Sequence, residues 1–124
     1  MRIELTIKDA AIVPDVCAML RRFGIRSVNV TDTAKDVDPV ALGRALLEHD
    51  PSLDVMAHIA AKHHDRVSFM RSVESALDGG IGKLLVVSGH PRADFDALAA
   101  LDELDASGLG IEAYAVYNPF LTNE

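Results

Sequence analysis

The chain has 124 residues, 49% of them hydrophobic, which suits one domain with its own core. A formal charge of −7 and a pI near 5.1, with no basic run or basic-aromatic patch, exclude the clustered positive surface that nucleic acid requires. A single cysteine, Cys17, excludes an internal disulfide and a cysteine-built zinc site, and no stretch approaches the roughly 20 apolar residues of a membrane span.

Met1 and Arg2 lead at once into a strand-like run with no apolar leader, so the expected compartment is the cytoplasm. Arg2 to Ile7 alternates apolar and polar residues and predicts a first strand. Lys8 to Phe23 carries Ile12, Val16, Met19, Leu20 and Phe23 at helical spacing, with Pro14 tolerated early, Asp9 as a cap and Gly24 at the stop. Cys17 falls within this pattern and reads as a small buried thiol rather than a nucleophile. The unit then repeats. Ile25 to Val30 predicts a second strand and 31–36 a polar loop; Asp38 and Pro39 open a helix through Glu48, with Val40, Leu46 and Leu47 as apolar positions.

Asp50-Pro51-Ser52 breaks that helix. Leu53 to Ile59 predicts a third strand and Lys62 to Asp65 a polar turn. Arg66 to Asp78 predicts the third helix, with Val67, Met70, Val73 and Leu77 inward, stopped by Gly79-Gly80. Gly80 to Val87 is the fourth strand, which ends abruptly in Ser88-Gly89-His90. The fourth helix follows from about Asp94, with Phe95, Leu98, Leu101 and Leu104 as its apolar positions and Ser107-Gly108 as its stop. Ile111 to Tyr117 is the fifth strand, and 118–124 reads as a further loop.

Five strands alternating with four helices predict parallel, right-handed βαβ units in a single α/β unit spanning 1–124. Two architectures fit. One is about half of a (β/α)₈ barrel; the other is a five-stranded doubly wound, flavodoxin-like sheet. Half a barrel exposes two sheet edges and an inner face that a partner must cover, either a second copy or the missing carboxyl half of the barrel.

The carboxyl ends of the strands gather Glu4, Thr6, Asn29, Thr31, Asp32, His58, Ser88, Gly89, His90, Tyr114, Tyr117 and Asn118, where α/β proteins place ligands. Glu4 has two readings: a carboxylate turned into a cleft, with its pKa raised for acid work, or a solvent-facing residue on the polar side of an edge strand. His58 ends a buried-looking run and is either a ligand contact or satisfied by a backbone carbonyl. His63 and His64 read as a solvated turn, and with no HExxH helix or paired strand histidines no metal is expected. Ser88-Gly89-His90, followed by a helix N-terminus, could face a phosphate, although neither a P-loop nor GxGxxG is present. A GxSxG elbow is absent, which argues against a serine hydrolase.

Taken in order, Ile3-Glu4-Leu5-Thr6, Ser27-Val28-Asn29-Val30-Thr31, Ala57-His58-Ile59-Ala60, the run from Gly80 to His90, and Ala115-Val116-Tyr117-Asn118-Pro119 are similar to successive strands of methylenetetrahydrofolate reductases. The resemblance covers nearly the whole chain and corresponds to about the first half of that family's flavin-dependent (β/α)₈ barrel. It implies a FAD-bound oxidoreductase that takes electrons from NAD(P)H and reduces a folate-type one-carbon substrate. It further implies that Glu4 is the general acid on the folate nitrogen. Asn29, in place of a usual threonine, with His58, Ser88, Gly89, His90 and Tyr117, would occupy cofactor-binding positions. Ser88-Gly89-His90 stands where the family usually has Arg-Gly-Asp. The missing arginine and aspartate support a second expectation, a non-catalytic binding or assembly module on the same scaffold.

Overall fold

The computed structural model describes residues 1–32, 37–88 and 95–116. Its strands are β1 (Arg2–Leu5), β2 (Ser27–Val30), β3 (Asp54–Ala60), β4 (Lys83–Val87) and β5 (Glu112–Val116). All pairs are parallel and the sheet runs in the order 1-2-3-4-5. A doubly wound sheet reverses its strand order at a switch point. This order contains no reversal and is that of successive units of a (β/α)₈ barrel. With crossovers of the usual right hand, each unit then places its helix on the same face. The helices α1 (Val13–Arg22), α2 (Pro39–His49), α3 (Arg66–Asp78) and α4 (Ala97–Ser107) accordingly pack each against the next.

The boundaries follow local chemistry. Asp9 accepts a hydrogen bond from the Ala11 N–H and caps a short 3₁₀ turn, Ala10–Ile12, so α1 begins later than its apolar spacing predicts. Pro14 then falls in the first turn of α1, where a backbone donor would have no intrahelical acceptor. Gly24, at φ +67°, turns the chain in the left-handed region, and the Ile25 N–H returns to the Leu20 carbonyl at 2.9 Å. Asp38 caps α2 through the Val40 N–H at 2.9 Å. Asp65 and Ser68 close a reciprocal capping box on α3, and Asp96 accepts from the Ala99 N–H at the start of α4.

The core lies between the sheet and the helices. Val28, Val30, Ala57, Ile59, Leu84 and Val86 project from the sheet onto Leu20, Leu46, Phe69, Val73 and Ala100. Cys17 is buried in this layer, and burial raises the pKa of its thiol. The helical faces differ from the predicted ones. In α1 the buried residues are Val13, Cys17 and Leu20, while Met19 and the flanking Ile12 and Phe23 are exposed. Phe69 and Ala76 join Val73 in α3, where Val67 is exposed; in α4, Ala97 and Ala100 are buried and Leu98 is exposed. Small residues let these helices approach the sheet closely. Gly43 of α2 does the same: a Cβ there would lie 2.8 Å from Ile81 Cδ1 and 3.2 Å from Val55 Cγ1.

Candidate functional site

Strand alternation sends one set of side chains to the helices and the other to the opposite, open face, which carries none of the described helices. In register, Glu4 lies beside Asn29, Asn29 beside Met56, and His58 beside Leu85. Arg2, Asp54, Lys83 and Tyr114 share this open face. Ile3 and Leu5, which flank Glu4, turn to the helix side. Glu4 is exposed to solvent, yet it stands on the same face as Asn29 and His58 rather than on the outside of the helix layer.

His58 is the one buried polar residue of the described core, 7% exposed. Its Nε2 lies 3.1 Å from Asn29 Nδ2, so a side chain, not a backbone carbonyl, satisfies it. Asn29 in turn accepts from Arg2 Nη1 at 3.0 Å. Arg2 also donates to Asp54, whose carboxylate accepts from Lys83 Nζ at 2.8 Å. The Lys83 hydrogen bond, reinforced by Arg2, holds the Asp54 carboxyl below its ordinary pKa. These four polar side chains connect β4, β3, β1 and β2 and support His58 from below.

Above His58 the carboxyl ends of the strands frame a hollow of about 230 Å³ lined by Glu4, Thr31, Asp32, His58, Ala60, Lys62 and Val87. The Asp32 side chain is buried and accepts from the Ala60 N–H at 2.8 Å, with His63 Nδ1 3.6 Å away. Asp32 thereby ties the end of β2 to the end of β3. The Thr6 and Thr31 hydroxyls meet at 3.1 Å across β1 and β2. Behind Asp32 a second hollow, about 250 Å³, is lined by Asp38, His63, His64 and Ser72. Among the described residues no group of three or more His, Cys, Asp and Glu side chains is placed to hold a metal ion. No described helix is long and apolar enough to cross a membrane.

Of the sequence-derived site residues, the structure brings Glu4, Asn29 and His58 together on one face. Ser88, at the end of β4, has a different commitment: its Oγ accepts from the Ala97 N–H at 3.0 Å, at the first turn of α4. Gly89, His90 and Tyr117 lie outside the described residues. Arg2 and Lys62 were not singled out by sequence reasoning. Arg2 reads there as an ordinary polar strand position, and Lys62 as part of a solvated turn. Asp32 is among the strand-end polar residues, but its burial has no sequence signature.

Burial lowers the His58 pKa below its ordinary value, while the nearby Glu4 and Asp32 carboxylates pull in the opposite direction. His64, also lowered by burial, behaves in the same sense. A histidine with a depressed folded pKa binds fewer protons than the unfolded chain just below about pH 6.5. Its contribution to stability is therefore fully present above about pH 6.5 and is lost as the pH falls toward the folded value. Urea unfolding of the protein and of His58→Gln at about pH 7.5 and about pH 5.5 should show the stability gap between them narrowing on acidification. A gap that stays constant would contradict a buried, neutral imidazole. Compared with known proteins, the chain matches no family model and no curated protein.

Proposed function

We propose that the chain is the amino-terminal half of a methylenetetrahydrofolate reductase-like barrel. On this reading it is a cytoplasmic, FAD-dependent oxidoreductase that uses NAD(P)H and acts on a folate-type one-carbon substrate. The observation that carries this reading is the convergence of Glu4, Asn29 and His58 on the open face of a parallel sheet in consecutive order. A barrel enzyme requires that arrangement of its inner wall, with its chemistry at the carboxyl ends of the strands.

The groups present suit a flavin in kind. Lys62, which lines the hollow, supplies a cation, and His58 and Thr31 offer hydrogen-bonding atoms to a ring edge. When bound, the flavin supplies hydride transfer, chemistry that no side chain here provides. On this reading Glu4, which lines the hollow with the buried His58, donates a proton to the substrate nitrogen whose bond to carbon breaks. Asn29 and the Arg2–Asp54–Lys83 chain hold the floor of the hollow in place. The open sheet face and the outer edges of β1 and β5, which pair with no further strand among the described residues, must be covered in the working enzyme, by a second copy or by a carboxyl-terminal half.

A second reading has its own observation. The Ser88 hydroxyl is used to satisfy the start of α4, so the position where the resembled family places a flavin-binding arginine is here occupied by a structural cap. On that reading the chain is a binding or assembly module that shares the scaffold. Titration of the purified chain with FAD, followed by flavin fluorescence, separates the two. Saturable binding supports the reductase. An assembled protein that leaves FAD free in solution would overturn the reductase and leave the module.

A further inference from the structure

The hydrogen bonds beneath the hollow determine more than the position of His58. Arg2 Nη1 donates to Asn29 Oδ1 at 3.0 Å and to the Val28 carbonyl at 3.0 Å. A guanidinium has donors and no acceptor, so the end of the Asn29 amide that faces it must be the carbonyl oxygen. The NH₂ end then faces His58 Nε2 at 3.1 Å, and an amide NH₂ can only donate. Nε2 must accept, so it carries no proton, and the proton of the neutral ring sits on Nδ1. The burial that disfavours the imidazolium acts in the same direction.

The other ring nitrogen has no such partner. Among the described residues Nδ1 makes no hydrogen bond, and no fully buried side-chain nitrogen or oxygen is left without one. His58 also lines the hollow with Glu4, Thr31, Asp32, Lys62 and Val87, so Nδ1–H is the ring's donor still available there among the described residues. We infer that Arg2 and Asn29 are positioning residues that fix His58 as its Nδ1–H tautomer, making it a hydrogen-bond donor to a ligand acceptor atom in this hollow. The acceptor class is a carbonyl oxygen or an unprotonated ring nitrogen; a ligand presenting an N–H at that point would meet a second donor and be refused. The inference concerns the pocket of the proposed reductase but rests on the geometry alone, so FAD binding can fail without affecting it.

Long-range ¹H–¹⁵N correlation spectra of the ¹⁵N-labelled chain at about pH 8, above the ordinary histidine range, read the tautomer directly. The His58 signals are assigned by their loss in His58→Gln. The expected spectrum has a protonated, pyrrole-type Nδ1 and a pyridine-type Nε2, favoured about tenfold or more because the other tautomer sets two donors against each other. Asn29→Asp keeps an acceptor for Arg2 but also presents an acceptor to Nε2, so the pyrrole-type signal should move to Nε2. A pyridine-type Nδ1 in the unsubstituted protein, or signals averaged between the two forms, would overturn the inference without recourse to any variant of Asn29. An Asn29→Asp protein that keeps the original pattern would overturn the role given to Arg2 and Asn29.

Discussion

On the proposed reductase reading, replacing Glu4 with Gln is expected to slow reduction of a methylene-folate substrate by about 10²- to 10⁴-fold while sparing oxidation of NAD(P)H by the flavin. Gln preserves the length, shape and hydrogen-bonding capacity of the side chain and removes the transferable proton. In the half-reaction with NAD(P)H no substrate nitrogen needs a proton, so the substitution should leave that step nearly unchanged. Glu4 is exposed on the sheet's open face, makes no hydrogen bond among the described residues and supports no part of the core. A loss of stability therefore would not account for the difference. Stopped-flow measurement of the two half-reactions makes the comparison. Equal loss of both would assign Glu4 to flavin binding or to structure instead of proton transfer.

The largest effect on stability is expected at Phe69. Its ring is fully buried and sits at 5.4 Å from the Phe95 ring and 6.4 Å from the His64 ring, centroid to centroid. Phe69→Ala removes the ring contacts that join α3 to Phe95, just ahead of α4, and to the loop that carries His64, and leaves a cavity that the surrounding helices close only in part. The expected cost is about 3–5 kcal/mol, a large share of the roughly 5–15 kcal/mol that holds a domain of this size together. Phe69→Leu, which refills most of the volume, should cost much less. Urea unfolding monitored by circular dichroism provides the test. A loss under about 1 kcal/mol for Phe69→Ala would mean that the helix layer packs differently around α3.

The parts of this fold that were legible in the sequence are those set by neighbours along the chain. Asp38-Pro39 announces α2 because the cap and the first-turn proline are adjacent, and Gly24 marks the end of α1 because a left-handed turn is needed there. The five strands and four helices could be counted for the same reason. Which side of each helix is buried was less legible. Residues 12–23 carry apolar side chains on more than one side, and contact with the sheet selects Val13, Cys17 and Leu20 over Met19 and Phe23. In α4 the sheet accepts Ala97 and Ala100, and larger Leu98 is left outside. Propensity and spacing carry no information about such close approaches.

The candidate site divides along the same line. Glu4, Asn29 and His58 were found because each sits within a strand near its carboxyl end, which alternation and turn chemistry reveal. The supporting chain from Lys83 through Asp54 and Arg2 to Asn29 was not, because it depends on register between strands whose linked residues are 27 to 52 positions apart. A slip of one residue in β1 would turn Arg2 toward the helices and Ile3 toward the open face. Asp32 gives the same lesson: a polar residue after a strand is expected in solvent, yet the unpaired N–H of Ala60 draws it inward.

The proposed function puts the ligand at the carboxyl ends of the strands, on the sheet face that carries none of the described helices. Amide chemical-shift mapping of the ¹⁵N-labelled chain during titration with FAD tests it most directly. The expected result is a set of saturable shifts concentrated at Glu4, Asn29, Thr31, Asp32, His58 and Lys62. Shifts confined to the outer helix surface, at Met19, Phe23, Val67 and Leu98, or no shifts at all, would contradict it.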